Sequence, residues 1–104
     1  EIESINREQL EQLLQTARDQ QNYKVGIRAL YLLTIWQLGD KEIIAINEHK
    51  TNYDYSYEIT NTQIRSIFEV ITTTYDYIWY GEFDAVLKHF EKTELDYKKL
   101  TNLL

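Results

Sequence analysis

Catalysis requires reactive side chains that converge, and this sequence is short of them. It has no cysteine, and its serines stand only at positions 4, 56 and 66. None of the three lies between glycines or in a nucleophile-elbow pattern. The two histidines, His49 and His89, fall in a loop and on a lysine-bearing helix face. No HExxH or ExxH spacing exists to place zinc or a di-iron centre on a helix. Glu91 with Glu94, and Glu8 with Glu11, are spaced like paired carboxylates, but such pairs do acid–base work only where a cleft drives their pKa values apart. Lysines flank the first pair and the second lies on a polar face, so both read as solvated. The three glycines, at 26, 39 and 81, are too scattered for a phosphate-cradling loop. The chain therefore reads as a non-enzyme with no cofactor and no metal.

Two features stand out against that background. One is Arg28, set in the apolar run Val25–Leu38 on the same stripe as Lys24 and Tyr31. The other is the aromatic series Tyr75, Tyr77, Trp79 and Tyr80, which ends at Gly81. A mid-helix arginine among leucines can bind a ligand carboxylate, or its stem can pack while its head meets a carbonyl, an acid or an aromatic face. As a structural residue, Arg28 is expected to clamp the second helix to the last carbonyls of the fourth, which lack intrahelical partners, with Asp76, Trp79 and Tyr80 as further partners. The 9 tyrosines allow a sugar or peptide platform, or core and rim packing.

The elements that must position these residues read as helices. Asn6 with Gln9 forms a capping box, Ile5 and Leu10 sit at hydrophobic-staple positions, and Leu10, Leu13, Leu14 and Ala17 make one apolar stripe. This helix fades at 20–22. Asn22 caps a second helix ending at Gly39, a C-terminal glycine, and its apolar residues cover nearly every side, so other helices should surround it. Gly26 within it implies close approach of a neighbouring backbone. Residues 40–50 are expected as an irregular loop that pins one or two isoleucines. Thr51 with Asp54 opens a short helix to about Glu58 that carries Tyr53, Tyr55 and Tyr57. Thr60 with Gln63 makes a capping box for a fourth helix, with Ile64, Ile67, Phe68, Ile71, Tyr75, Ile78 and Trp79 at helical spacing up to Gly81. A last helix from about Phe83 carries Leu87, Phe90, Tyr97 and Leu100 on one side and a mixed-charge face with Lys88, Lys92, Lys98 and Lys99 on the other. The expected fold is all-α, a compact bundle of about four to five helices forming a single domain over 1–104.

Composition agrees. At 104 residues there is room for one core, and 43% hydrophobic with 27% charged content is ordinary for a globular chain. Proline is absent, which suits helices better than a turn-rich β fold. The net charge of -6 opposes contact with nucleic acid or anionic lipid. Only the stretch from Tyr23 to Gly39 is locally positive, through Lys24 and Arg28. The most apolar run carries Arg28 and Gln37 and is too short to span a membrane. The chain begins at Glu1 and contains no methionine, which reads as a soluble piece of a longer protein.

Set in order, the segments YKVGIRALYLLTIWQL, KEII, KTNYDYSYEI and FEVITTTYDYIWYGEF resemble the C-terminal domain, of unknown function, of bacterial transglutaminase-like membrane proteins. The matching residues are Ile27, Arg28, Leu30 and Tyr31; Ile43 and Ile44; Lys50, Thr51, Asn52 and Tyr55; and Trp79, Tyr80 and Gly81. The resemblance spans roughly Leu10 to Phe90. It departs at Gly26, where alanine is usual, and at Ser56, where leucine is common.

The resemblance implies a domain on the cytoplasmic side of a bacterial inner membrane, following a transmembrane helix in a membrane-anchored parent. Many such proteins lack a transglutaminase domain, and some are encoded near MoxR-type ATPases and von Willebrand factor A-like proteins, which points to assembly or regulation. It carries over no catalysis, because the transglutaminase Cys-His-Asp triad belongs to another domain.

The leading functional reading is a non-catalytic interaction or regulatory module that docks a protein partner or its own membrane-embedded part. The alternative is a small-ligand sensor with a pocket between helices two and four, near Arg28 and Trp79. Ligand or partner contacts are expected at Arg28, Tyr31, Thr51, Asn52, Tyr55, Trp79, Tyr80 and Gly81. No nucleic acid, and no direct lipid contact by this piece, is expected.

Overall fold

The computed structural model describes residues 6–104; Ile5, the expected staple partner of Leu10, lies outside them. The described residues form five helices and no strand: α1 (Arg7–Asp19), α2 (Tyr23–Asp40), α3 (Asn52–Glu58), α4 (Thr62–Tyr80) and α5 (Leu87–Asn102). The all-α expectation holds.

Local signals explain most starts. Asn6 accepts from the Gln9 N–H while the Gln9 side chain accepts from the Asn6 N–H, so two N–H groups without intrahelical acceptors are satisfied at once. Asn22 accepts from the Val25 N–H, and Thr51 and Asp54 form the expected reciprocal box. The start of α4 differs. Its cap is Asn61, whose Oδ1 accepts from the Ile64 N–H at 3.0 Å, in place of the expected Thr60–Gln63 box. The asparagine lies one residue closer to the apolar stripe and offers an equally good acceptor. The last helix begins at Leu87, four residues later than Phe83, after an irregular stretch over 82–86. There the His89 Nδ1 accepts from the Val86 N–H at 3.2 Å.

Helix ends bear out Gly81 as the C-cap of α4 but not Gly39 as the end of α2, whose C-cap is Lys41. The residues at positive φ are Gln21 (56°), Glu42 (59°) and Glu82 (58°), and no described glycine has positive φ. After α1 the Gln21 N–H donates to the Arg18 carbonyl and the Asn22 N–H to the Ala17 carbonyl; after α2 the Glu42 N–H donates to Gly39 and the Ile43 N–H to Leu38. These are Schellman closures built on a left-handed glutamine and a left-handed glutamate. All three glycines stand where packing is close. A Cβ at Gly26 would lie 2.6 Å from the Phe90 ring, one at Gly39 2.4 Å from Ile46, and one at Gly81 2.4 Å from the Tyr77 carbonyl oxygen and 2.8 Å from the Phe83 ring. The neighbour of Gly26 is thus an aromatic side chain, not a backbone.

The apolar α2 is enclosed as its composition predicts, touching α1, α4 and α5. One cluster joins Ile35 and Leu38 of α2 to Ile44, Tyr55, Ile59, Ile64, Phe68, Ile71 and Leu100. A second joins Ile27 and Leu30 to Tyr75, Ile78 and Phe90, and a third sets Leu10 against Leu32 and Leu33. The loop over 41–51 buries Ile44 and half-buries Ile43 and Ile46, as expected. Two stripe residues fall outside the core: Leu13 and Leu87 are exposed, because each sits at the edge of its helix's buried arc.

Candidate functional site

The α2–α4 seam carries most of the expected contact residues. Tyr31 of α2 stacks on Tyr75 of α4, with ring centroids 4.1 Å apart and planes within 3°. The Tyr31 hydroxyl donates to the Asn52 Oδ1 at 2.6 Å, tying the first turn of α3 to α2. Burial pushes the Tyr31 hydroxyl up to about 12 from 10.0. Burial likewise pushes Tyr75 up.

Arg28 lies beside this stack. Its Nη1 donates to the Tyr75 hydroxyl at 2.8 Å, and its guanidinium sits 4.6 Å from the Trp79 ring centroid. The expected partners, the last carbonyls of α4, are not the ones it takes. Tyr75 stands one turn earlier on the facing helix, so the side chain reaches a phenol before it reaches the helix end. Lys24, one turn before Arg28, also lies over Trp79, at 5.2 Å. Tyr80 meets Tyr75 edge-on at 6.1 Å and is otherwise exposed. Asp76 is exposed on α4, and partial desolvation raises its carboxyl above the usual range.

The structure thus brings together Arg28, Tyr31, Asn52, Trp79 and Tyr80 of the expected set, and adds Lys24 and Tyr75. Three expected residues lie elsewhere. Thr51 caps α3. Tyr55 turns the other way, donating to the Asn47 carbonyl at 2.9 Å and accepting from the Asn47 N–H, so it fastens the 41–51 loop. Lys50 and Glu58 close the same loop with a 2.8 Å ion pair. The Lys50 ammonium, and next the Ala45 N–H, hold the Glu58 carboxyl below its usual range. Gly81 admits the Phe83 ring, which packs edge-on against Tyr77.

A groove of about 640 Å³ opens on the other side of Asn52, between α3 and α4. Asn52, Tyr53, Ser56, Tyr57, Thr72 and Thr73 line it, with Arg65 and Glu69 as its charged residues. Tyr53 and Tyr57 are 73% and 80% exposed. Ser56 donates to Glu69 at 2.7 Å and Arg65 donates to the Ile59 carbonyl at 2.8 Å, so the groove's walls are braced from within. A serine on a carboxylate with no imidazole in line is not an activated nucleophile. Sequence reading placed Tyr53 and Tyr57 on α3 without assigning them a surface; their i, i+4 spacing was the available signal. Lys24 carried the same signal, one turn from Arg28.

No family model matches the chain, and comparison with curated proteins and with solved structures finds no match.

Proposed function

We propose that the chain is a non-catalytic interaction module, the cytoplasmic helical part of a membrane-anchored bacterial envelope protein, and that its α3–α4 groove receives a segment of a partner protein or of the parent's own membrane-embedded part. The observation that carries this reading is the pair of exposed tyrosines, Tyr53 and Tyr57, flanking a groove lined by Asn52, Ser56, Thr72 and Thr73 together with Arg65 and Glu69. Protein recognition surfaces favour this composition. Tyrosine brings a large rigid contact area with few rotors to freeze, and hydroxyls and carboxamides bond adaptably to peptide groups. Arg65 and Glu69 are each engaged from within the groove, by the Ile59 carbonyl and the Ser56 hydroxyl, in a chain whose net charge is -6. The same net charge weighs against nucleic acid and anionic lipid as partners. No helix among the described residues is long and apolar enough to cross a membrane, so anchoring falls to other parts of the parent.

Photo-crosslinking in host cells tests the reading. A benzophenone amino acid at Tyr57 is expected to give one discrete adduct, absent when the probe stands at exposed Lys98 on α5. Tyr53→Ala with Tyr57→Ala is expected to weaken co-purification of the adduct partner by at least about tenfold with the thermal midpoint unchanged. Equal adducts at both positions, or undiminished co-purification, would overturn it.

A further inference from the structure

We infer that Lys24, Arg28 and Trp79 form a binding site for an oxyanion, a carboxylate or phosphate carried on a small molecule. The site is separate from the α3–α4 groove and does not depend on it. Lys24 and Arg28 stand at i, i+4 on α2, and both reach the Trp79 ring, at 5.2 and 4.6 Å. Two cations at that spacing repel each other. In an acidic chain a carboxylate would ordinarily sit between them, yet neither takes part in an ion pair among the described residues. Asp76 on α4 stays outside pairing distance, and so do Glu82 and Asp84, which share a cleft of about 460 Å³ with Lys24.

The donors are similarly unspent. A guanidinium offers five N–H donors and an ammonium three. Among the described residues one of Arg28's meets the Tyr75 hydroxyl and none of Lys24's finds an acceptor. Tyr75 is 4% exposed and held by its stack on Tyr31, so its bond fixes where the guanidinium points. The fork is therefore pre-oriented while most of its edge is unused, the condition under which arginine takes a planar or tetrahedral oxyanion bidentately. The half-buried Trp79 below and the exposed Tyr80 beside it give an apolar body somewhere to rest.

The experiment follows Trp79 emission in a Trp36→Phe background, titrating the whole chain with inorganic phosphate, with succinate, and with sodium chloride at matched ionic strength. Saturable change with phosphate or succinate in the millimolar range, about 1 mM at half-saturation, and none with chloride, is expected, and the better probe identifies which oxyanion the site prefers. Lys24→Gln is expected to weaken binding at least about tenfold while the circular dichroism spectrum and thermal midpoint hold. Arg28→Gln should abolish it. Lys24 is at the rim, so its variant keeps the test decisive even if Arg28→Gln unfolds. A response that tracks ionic strength alike for all three salts, or that is undiminished in Lys24→Gln, would overturn the assignment.

Discussion

At the scale of single residues, the energetics follow from what each side chain touches. Arg28 has neutral partners and is half-buried, so its loss strands no charge. Arg28→Met removes one hydrogen bond to a phenol and one cation–π contact, and should cost about 1–2 kcal/mol in urea unfolding. A loss well above that would mean the guanidinium holds α4 carbonyls after all. Gly26→Ala ought to stabilise a bare helix, yet its Cβ would meet a Phe90 ring that is 3% exposed and cannot swing away. Overpacking should win, with a net loss of about 1–2 kcal/mol that Phe90→Leu relieves. Tyr31 supplies a pH signature. Its hydroxyl stays protonated to about 12 in the fold but ionises at 10.0 once exposed. A raised folded pKa means the contribution is whole below pH 10 and is lost as pH climbs from 10 through 12. The unfolding free energy from urea titrations should fall over that window by at most about 1.4 kcal/mol per pH unit for this group, and less steeply in Tyr31→Phe.

Elements are where the helix ends matter. Three chain reversals use a left-handed non-glycine residue, a conformation that costs an L-residue about 1 kcal/mol or more. Glu42→Gly and Glu82→Gly should therefore each raise stability by about 0.5–1 kcal/mol, since glycine enters that region freely and both side chains are exposed. Thermal melts showing a decrease would mean that the glutamates hold contacts worth more than the strain. The short α3 depends on its capping box, so Thr51→Ala should cost about 1 kcal/mol. Hydrogen exchange should localise that loss to 45–58, with little change in α1 or α5.

For the whole molecule, α2 is the hub, because α1, α4 and α5 each pack on it and α3 reaches it through the Tyr31–Asn52 bond. The structure should accordingly unfold as one cooperative unit. Phe68→Ala, at a fully buried position shared by α4, the loop and α5, should cost about 3–5 kcal/mol, with fluorescence and circular dichroism transitions still coincident. Separate transitions for the two probes would show that the α1 side is an independent unit.

What could be read from the residues in order was whatever is encoded within a turn or two of chain. Asn6, Asn22 and the Thr51–Asp54 box announce three helix starts because a cap is satisfied by its own first turn. The all-round apolar surface of α2 announces that helices enclose it. Tertiary structure alone decided the rest. Gly81 does end α4, but Gly39, which looks like the same kind of stop, lies inside α2, where packing of Ile46 uses its missing Cβ while Glu42 makes the turn. Arg28 takes the Tyr75 hydroxyl and not the end of α4, because the facing register of two helices sets which group comes within its reach. Tyr53 and Tyr57 share a sequence pattern with Tyr55. Only the docking of α3 on α4 sends Tyr55 into the core and leaves the other two at the rim of a groove. Capping and amphipathic period are local energies. Which ring meets which glycine, and which donor meets which acceptor, is set by distances between segments far apart in the chain.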